Sequence, residues 1–336
     1  MTIDIEERTL HFRQPAGTSR GVYTERKIWL LHVSNGPDKG VGECAPLPQL
    51  SCDDIPNYGD VLRRFCDEVE RTGSIPCEEL RHYPSMLFGL ETAMLSLHRG
   101  QQLFPSAFSR GEVGIPINGL VWMGTYEEML SRMEQKLEQG FRCVKLKIGA
   151  IDFDRELDLV KRIRQRFSRH EVELRLDANG AFPIDEALYK LELLSQYDIH
   201  SIEQPIRQGL WAYMADLCRE SPLPIALDEE LIGVNDAPTK RQMLNIIRPA
   251  YIILKPSLHG GMAGTREWIS IARDMGIGSW ITSALESNVG LNAIAQLCAD
   301  IYGDGLTLPQ GLGTGQLFTD NIDMPLEVRG DKLWMG

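Results

Sequence analysis

Short apolar runs recur along the last two-thirds of the chain, most of them closed by a charged residue. Runs at 115–121, 142–148, 172–177, 199–203, 223–228, 250–255 and 278–283 are near-continuous, with a weaker one at 305–308. Such runs suit strands buried on both faces of a parallel sheet. Between them, 126–139, 154–169, 184–196 and 261–275 carry apolar residues at helical spacing. Seven or eight strand–helix units in roughly 200 residues predict a closed barrel rather than an open sheet. The eighth unit is poor, because Leu308 runs into Pro309-Gln310-Gly311-Leu312-Gly313-Thr314-Gly315, a tight loop expected near the barrel mouth.

The first third reads differently. Alternation over 27–33 predicts a strand, and 39–44 a turn into another. Met86, Leu87, Leu90, Ala93, Met94 and Leu97 fall on one helical face of 85–98, and Glu91 on that helix is expected at a domain boundary. The expected organisation is an α+β domain over 1–112, a barrel over 113–317, and a segment 318–336 returning to the first domain, with a strand within 324–335. No low-complexity linker separates the parts, so they are expected to pack tightly.

Composition narrows the function. The 336 residues are 43% hydrophobic and 24% charged, enough for a large core. A net charge of −12 with no basic cluster argues against nucleic acid. No apolar stretch reaches a membrane span, and the acidic start Met1 to Glu7 lacks the apolar region of a signal peptide. Seven scattered cysteines without CxxC spacing fit a reducing compartment, so a cytoplasmic protein is expected. None of these features sets an oligomeric state.

The run ends carry the chemistry. Lys145 and Lys147 stand in Val144 to Gly149; Asp177, Glu203 and Asp228 close the next three runs, and Lys255 the one after. In a parallel barrel all these ends lie on one rim. Side chains alternate with a period of two, so Lys145 and Lys147 point the same way. Three carboxylates on successive strands ~4.8 Å apart suit a hard cation with oxygen ligands, Mg²⁺ above all, and no His or Cys accompanies them. Such a cation steadies the enediolate formed when an α-proton is removed beside a carboxylate. A lysine beside other cations loses its proton more readily, and Lys147 stands in that position. Taken singly, an Asp at a strand end is more often a helix cap, the lysines could lie on a solvated edge strand, and Asp228-Glu229-Glu230 could be an acidic surface loop. Their ordered joint occurrence favours a site. His259 reads as a loop histidine, and His32 and His200 as structural.

These residues resemble the muconate-lactonizing branch of the enolase superfamily over nearly the whole chain. The resemblance rests on Lys145-Leu146-Lys147, Asp177-Ala178-Asn179, Glu203-Gln204-Pro205, Leu227-Asp228-Glu229 and Leu254-Lys255-Pro256. Within the branch the chain is similar to the o-succinylbenzoate synthases, through 42–48, 283–291 and 311–314. The resemblance implies an α/β fold, a modified TIM barrel (β/α)7β with an α+β capping domain. It implies a hydro-lyase of menaquinone biosynthesis acting on a small carboxylate, 2-succinyl-6-hydroxy-2,4-cyclohexadiene-1-carboxylate. Lys147 would be base and then acid, Lys255 would stabilise the enediolate from the opposite face, and Lys145 would lower the pKa of Lys147. Asp177, Glu203 and Asp228 would hold Mg²⁺, for which Mn²⁺ could substitute. Asn179 would support them from behind, and Ser283 and Gly311 would lie against the succinyl group. The alternatives are an N-acyl amino acid or dipeptide racemase or epimerase, or a cycloisomerase. Dipeptide epimerases of the branch show an Asp-x-Asp pair at the eighth strand end, whereas 306–313 holds no carboxylate. Relatives often carry a second glutamate where this chain has Gln204.

Overall fold

In the computed structural model, which describes residues 1–18 and 21–336, the period-two pattern of the first third builds a three-stranded antiparallel sheet. Its strands, β1 (Thr2–Thr18), β2 (Gly21–Asn35) and β3 (Asp38–Cys44), pair in chain order. Both faces of β2 are buried. Trp29, Leu31 and Val33 pack against the helices α1 (Tyr58–Thr72) and α3 (Pro84–Arg99), which flank the short α2 (Cys77–Leu80). Ile28 and Leu30 face the other way, onto Leu258, Ala284 and Leu285 of the second unit. Helix α3 lies almost on the backbone of β3, and a Cβ at Gly42 would stand 2.0 Å from the Gly89 carbonyl oxygen.

The short β4 (Ile115–Pro116) leads into seven parallel strands. In order these are β5 (Gly119–Val121), β6 (Cys143–Lys147), β7 (Glu173–Asp177), β8 (Ser201–Glu203), β9 (Ile225–Leu227), β10 (Tyr251–Leu254) and β11 (Gly278–Ile281). Each lies hydrogen-bonded beside the next. Helices α4 (Tyr126–Glu138), α5 (Phe153–Arg166), α6 (Ile184–Leu194), α7 (Trp211–Glu220), α8 (Ala237–Ile247), α9 (Gly261–Asp274) and α10 (Asn288–Tyr302) alternate with them. Their apolar faces and the strands form one large core.

The eighth strand position is a correction. Residues 305–308 form no strand. Closure falls instead to Gln310, which bridges in parallel to Ile117, and Gly311, which bridges to Thr282. The amide of Gln310 acts as an extra rung, accepting from the Ile281 N–H at 2.8 Å and donating to the Leu308 carbonyl at 2.8 Å. Only glycine fits at 311, because a Cβ there would stand 2.1 Å from Thr282 Oγ1. Leu308, read as part of the strand, packs instead with Ala226, Ile253 and Trp280.

The C-terminal segment, expected to return over 318–336, touches the first sheet at its start and not through a strand within 324–335. Phe318 bridges Phe12, and the Thr319 N–H donates to the His11 carbonyl at 2.9 Å. The last hairpin, β12 (Leu326–Arg329) and β13 (Lys332–Met335), pairs instead with β4. Glu91 of α3 accepts from the N–H groups of Met262 and Ala263 at 2.5 and 3.1 Å, capping α9 across the boundary between the two units. No helix among the described residues is long and apolar enough to cross a membrane.

Candidate active site

Register places the charged run ends together. Lys147 pairs with Asp177, and Asp177 with Glu203, so three consecutive strands present them on one rung. Lys145 sits one inward-facing position deeper and reaches up. Its Nζ lies 2.9 Å from Asp177 Oδ2 and 2.6 Å from Glu203 Oε2. Lys147 Nζ meets the same Asp177 oxygen at 2.9 Å, and Lys255 pairs with Asp228. Three ammonium groups thus face three carboxylates, all nearly withdrawn from water.

Burial penalises every one of these charges, and the partners decide the outcome. For Asp177 burial is outweighed by Lys145 and Lys147, which hold its pKa below the usual carboxylate range. For Asp228 burial is likewise outweighed, chiefly by Lys255. Burial also opposes Lys145 and Lys255, yet the surrounding carboxylates raise both. Glu203 goes the other way, because burial and the neighbouring Asp177 charge push it well up.

A layer of polar residues supports this ring. Asn179, in the left-handed region at φ 43°, accepts from Lys147 Nζ at 2.7 Å and donates to Glu229 Oε1 at 2.9 Å. The first of these contacts goes to a lysine rather than to a carboxylate. Gln204 accepts from the N–H groups of Asp228 and Glu230 and so fixes the turn that carries Asp228. His259 lies in the turn after β10, as read from the sequence, and is buried there. Its Nδ1 accepts from the Lys255 N–H at 2.9 Å, and burial depresses its pKa to about 3, which keeps it neutral.

Above the ring a pocket opens between the barrel rim and the first unit. Lys145, Lys147, Lys255, Asp177 and Asn179 line its floor, together with Glu229. Leu120, Trp122 and Trp280 form the barrel wall, and Tyr23, Leu47 and Leu50 reach in from the first unit. Ser283, Gly311 and Thr314 line it as well. Glu203 and Asp228 lie behind the lysines. Every site residue expected from the sequence therefore meets at one place. Sequence reasoning missed Glu229, Trp122, Thr314 and the three residues of the first unit. Glu229 is no surface residue: burial and the Asp228 charge push its carboxyl up to about 7.

No three acidic, His or Cys side chains among the described residues stand at metal-binding spacing. The donor set nevertheless fits a hard cation. All the candidate ligand atoms are carboxylate oxygens, and Glu203 Oε1 and Asp228 Oδ1 are buried without any hydrogen-bond partner.

Comparison with known proteins agrees with this geometry. A family described as enolase C-terminal domain-like matches residues 128–327, and one described as MenC, N-terminal domain matches 18–97. An o-succinylbenzoate synthase of Desulfotalea psychrophila is 46% identical, over 99% of this chain and 98% of that protein. The crystal structure of MenC from that organism superposes with a TM-score of 0.84 at 42% identity, over 99% of this chain and 100% of that one. A dipeptide epimerase from Enterococcus faecalis superposes as well, with a TM-score of 0.86 over 100% and 96% of the chains, but at 16% identity. That likeness speaks for the fold alone. The chain is an α/β protein of the enolase superfamily, and within it belongs to the o-succinylbenzoate synthase (MenC) family.

Proposed function

We propose that this chain is an o-succinylbenzoate synthase, dehydrating 2-succinyl-6-hydroxy-2,4-cyclohexadiene-1-carboxylate with Mg²⁺, or Mn²⁺ in its place, held by Asp177, Glu203 and Asp228. One observation carries the reading. Lys147 ends β6 and Lys255 follows β10, the second and sixth of eight positions around the closed ring, so two lysines enter one pocket from opposite sides.

The bound cation supplies positive charge against the substrate carboxylate as negative charge develops on it. The protein does the rest. Lys147, as the neutral amine, takes the α-proton, and the C–H electrons pass into the carboxylate to give the enediolate. The C–O bond to the ring hydroxyl then breaks. Lys147 returns the proton to that oxygen, water departs, and the ring becomes aromatic. Proton and hydroxyl leave from one face, so one lysine serves both steps. The Lys255 ammonium faces the other side of the ring and stabilises the delocalised anion. Lys145, fixed by Asp177 and Glu203, keeps positive charge beneath the carboxylate. Ser283 and Gly311 meet the succinyl arm. The cysteines are all unpaired thiols, which supports a reducing, cytoplasmic setting.

The lysine variants test this directly. Lys147→Ala is expected to lose both dehydration and α-proton exchange with deuterated solvent, by about 10²–10⁴-fold or more. Lys255→Ala is expected to be severely impaired in dehydration through loss of charge stabilisation. EDTA is expected to abolish activity, and Mg²⁺ to restore it. Near wild-type turnover in Lys147→Ala would show the base to be misassigned.

A further inference from the structure

We propose that Thr314 is a positioning residue that sets the Ser283 hydroxyl as a hydrogen-bond donor aimed into the pocket, toward the distal carboxylate of the ligand's side arm. The inference rests on the substrate reading above and adds to it a residue and a direction of hydrogen bonding.

A serine hydroxyl has one hydrogen to give and two lone pairs to receive. Ser283 receives twice. The Leu285 N–H donates to its Oγ at 3.0 Å, and Thr314 Oγ1 donates to it at 2.8 Å. Both lone pairs are therefore engaged, and among the described residues nothing accepts the hydrogen of Ser283 itself. Ser283 is 6% exposed, and it lines the pocket. Its hydrogen has the pocket as its outlet, so a ligand group there must be an acceptor.

The two donors that enforce this polarity are held firmly. Leu285 sits at φ 65°, a left-handed conformation unusual for leucine, and that turns its N–H back onto Ser283. Its carbonyl, with those of Ala45, Pro46 and Ala284, accepts from the buried guanidinium of Arg26. Thr314 lies in the short 3-10 turn Gly313–Gln316, which starts two residues past the closing residue Gly311, and is 7% exposed. Ser283 and Thr314 are remote in the chain and meet because Gly311 bridges Thr282. The floor lysines answer one carboxylate of a dicarboxylic ligand. The second meets the Ser283 hydroxyl, whose direction is fixed in advance, and apart from the three lysines no residue that lines the pocket is cationic.

The test is calorimetric binding to the Mg²⁺-loaded enzyme of two ligands, o-succinylbenzoate and 2-butanoylbenzoate, which has the same chain length but ends in methyl. Thr314→Val keeps the shape and removes the donor. It is expected to weaken o-succinylbenzoate by about 3–10-fold and leave 2-butanoylbenzoate unchanged. Thr314→Ser is expected to restore the loss. In turnover, Thr314→Val is expected to raise KM with kcat within about twofold, because the contact is the same in ground and transition states. Adding Thr314→Val to Ser283→Ala is expected to cost nothing more, since Thr314 acts through Ser283. Unchanged affinity in Thr314→Val, equal loss for both ligands, failure of Thr314→Ser to rescue, or additive losses would each overturn the proposal. A wild-type enzyme that binds neither ligand would overturn the substrate reading instead.

Discussion

Gln204 shows how much a single amide can settle. Its Nε2 donates to the Ile206 carbonyl and to Glu230 Oε2, both at 3.0 Å, while its Oε1 accepts from two backbone N–H groups. Both halves of the amide are used, and a carboxylate could fill only one. Gln204→Glu is therefore expected to set two carboxylates face to face and to lose two donors, at a cost of about 1–3 kcal/mol. Chemical denaturation measures it, and unchanged stability would contradict the reading. The same scale shows what single residues reveal in advance. Asp177, Glu203, Asp228 and the lysines were legible because each breaks an apolar run at its end. Glu229 was not, because strict alternation after Asp228 points it away from the site. The 3-10 turn Glu229–Leu231 brings it back, and nothing in the letters Glu-Glu-Leu announces that turn. Trp122, just past β5, and Thr314, in the 3-10 turn Gly313–Gln316, carry no signal of that kind.

Elements meet across the boundary through buried polar groups, and these carry a pH signature. Burial raises the Glu91 carboxyl to about 7 from an ordinary value of 4.5, although the N–H groups of Met262 and Ala263 pull it down. A carboxyl raised in the folded state favours folding fully below about 4.5, and that contribution is lost as pH rises through 7. Asp53, raised to about 6 by burial, acts in the same direction. Glu91→Gln is expected to flatten part of the decline in unfolding temperature between pH 5 and 8, measured by scanning calorimetry. Parallel profiles for variant and wild type would show that the α3–α9 contact does not titrate. The helix bearing Glu91 and its boundary role were readable from one apolar face with one misplaced acid. The closing strand was not. Its two bridging residues, Gln310 and Gly311, carry no apolar signal, and they close the ring through a side-chain amide and a missing Cβ.

The whole molecule completes its site only where the two units join. Lysines and carboxylates come from the barrel, whereas Tyr23, Leu47 and Leu50 close the pocket from the first unit. Arg26 ties the two sides together through carbonyls of 45–46 and 284–285, so the pocket wall and the rim that bears Ser283 share one anchor. The barrel was legible because seven buried runs repeat at regular intervals. Seating of the first unit over the rim was not, because it depends on β2 burying both of its faces. Global shape does not choose the reaction: a dipeptide epimerase at 16% identity superposes as well as MenC at 42%. The choice lies in what the two lysines do to one substrate. The most direct measurement adds the Mg²⁺-loaded protein to 2-succinyl-6-hydroxy-2,4-cyclohexadiene-1-carboxylate and follows the diene absorbance, with polarimetry of N-acyl amino acids and dipeptides run in parallel. Rapid loss of the diene with formation of o-succinylbenzoate, and at most weak racemisation, is the expected result. Strong racemisation with no consumption of the diene would contradict it.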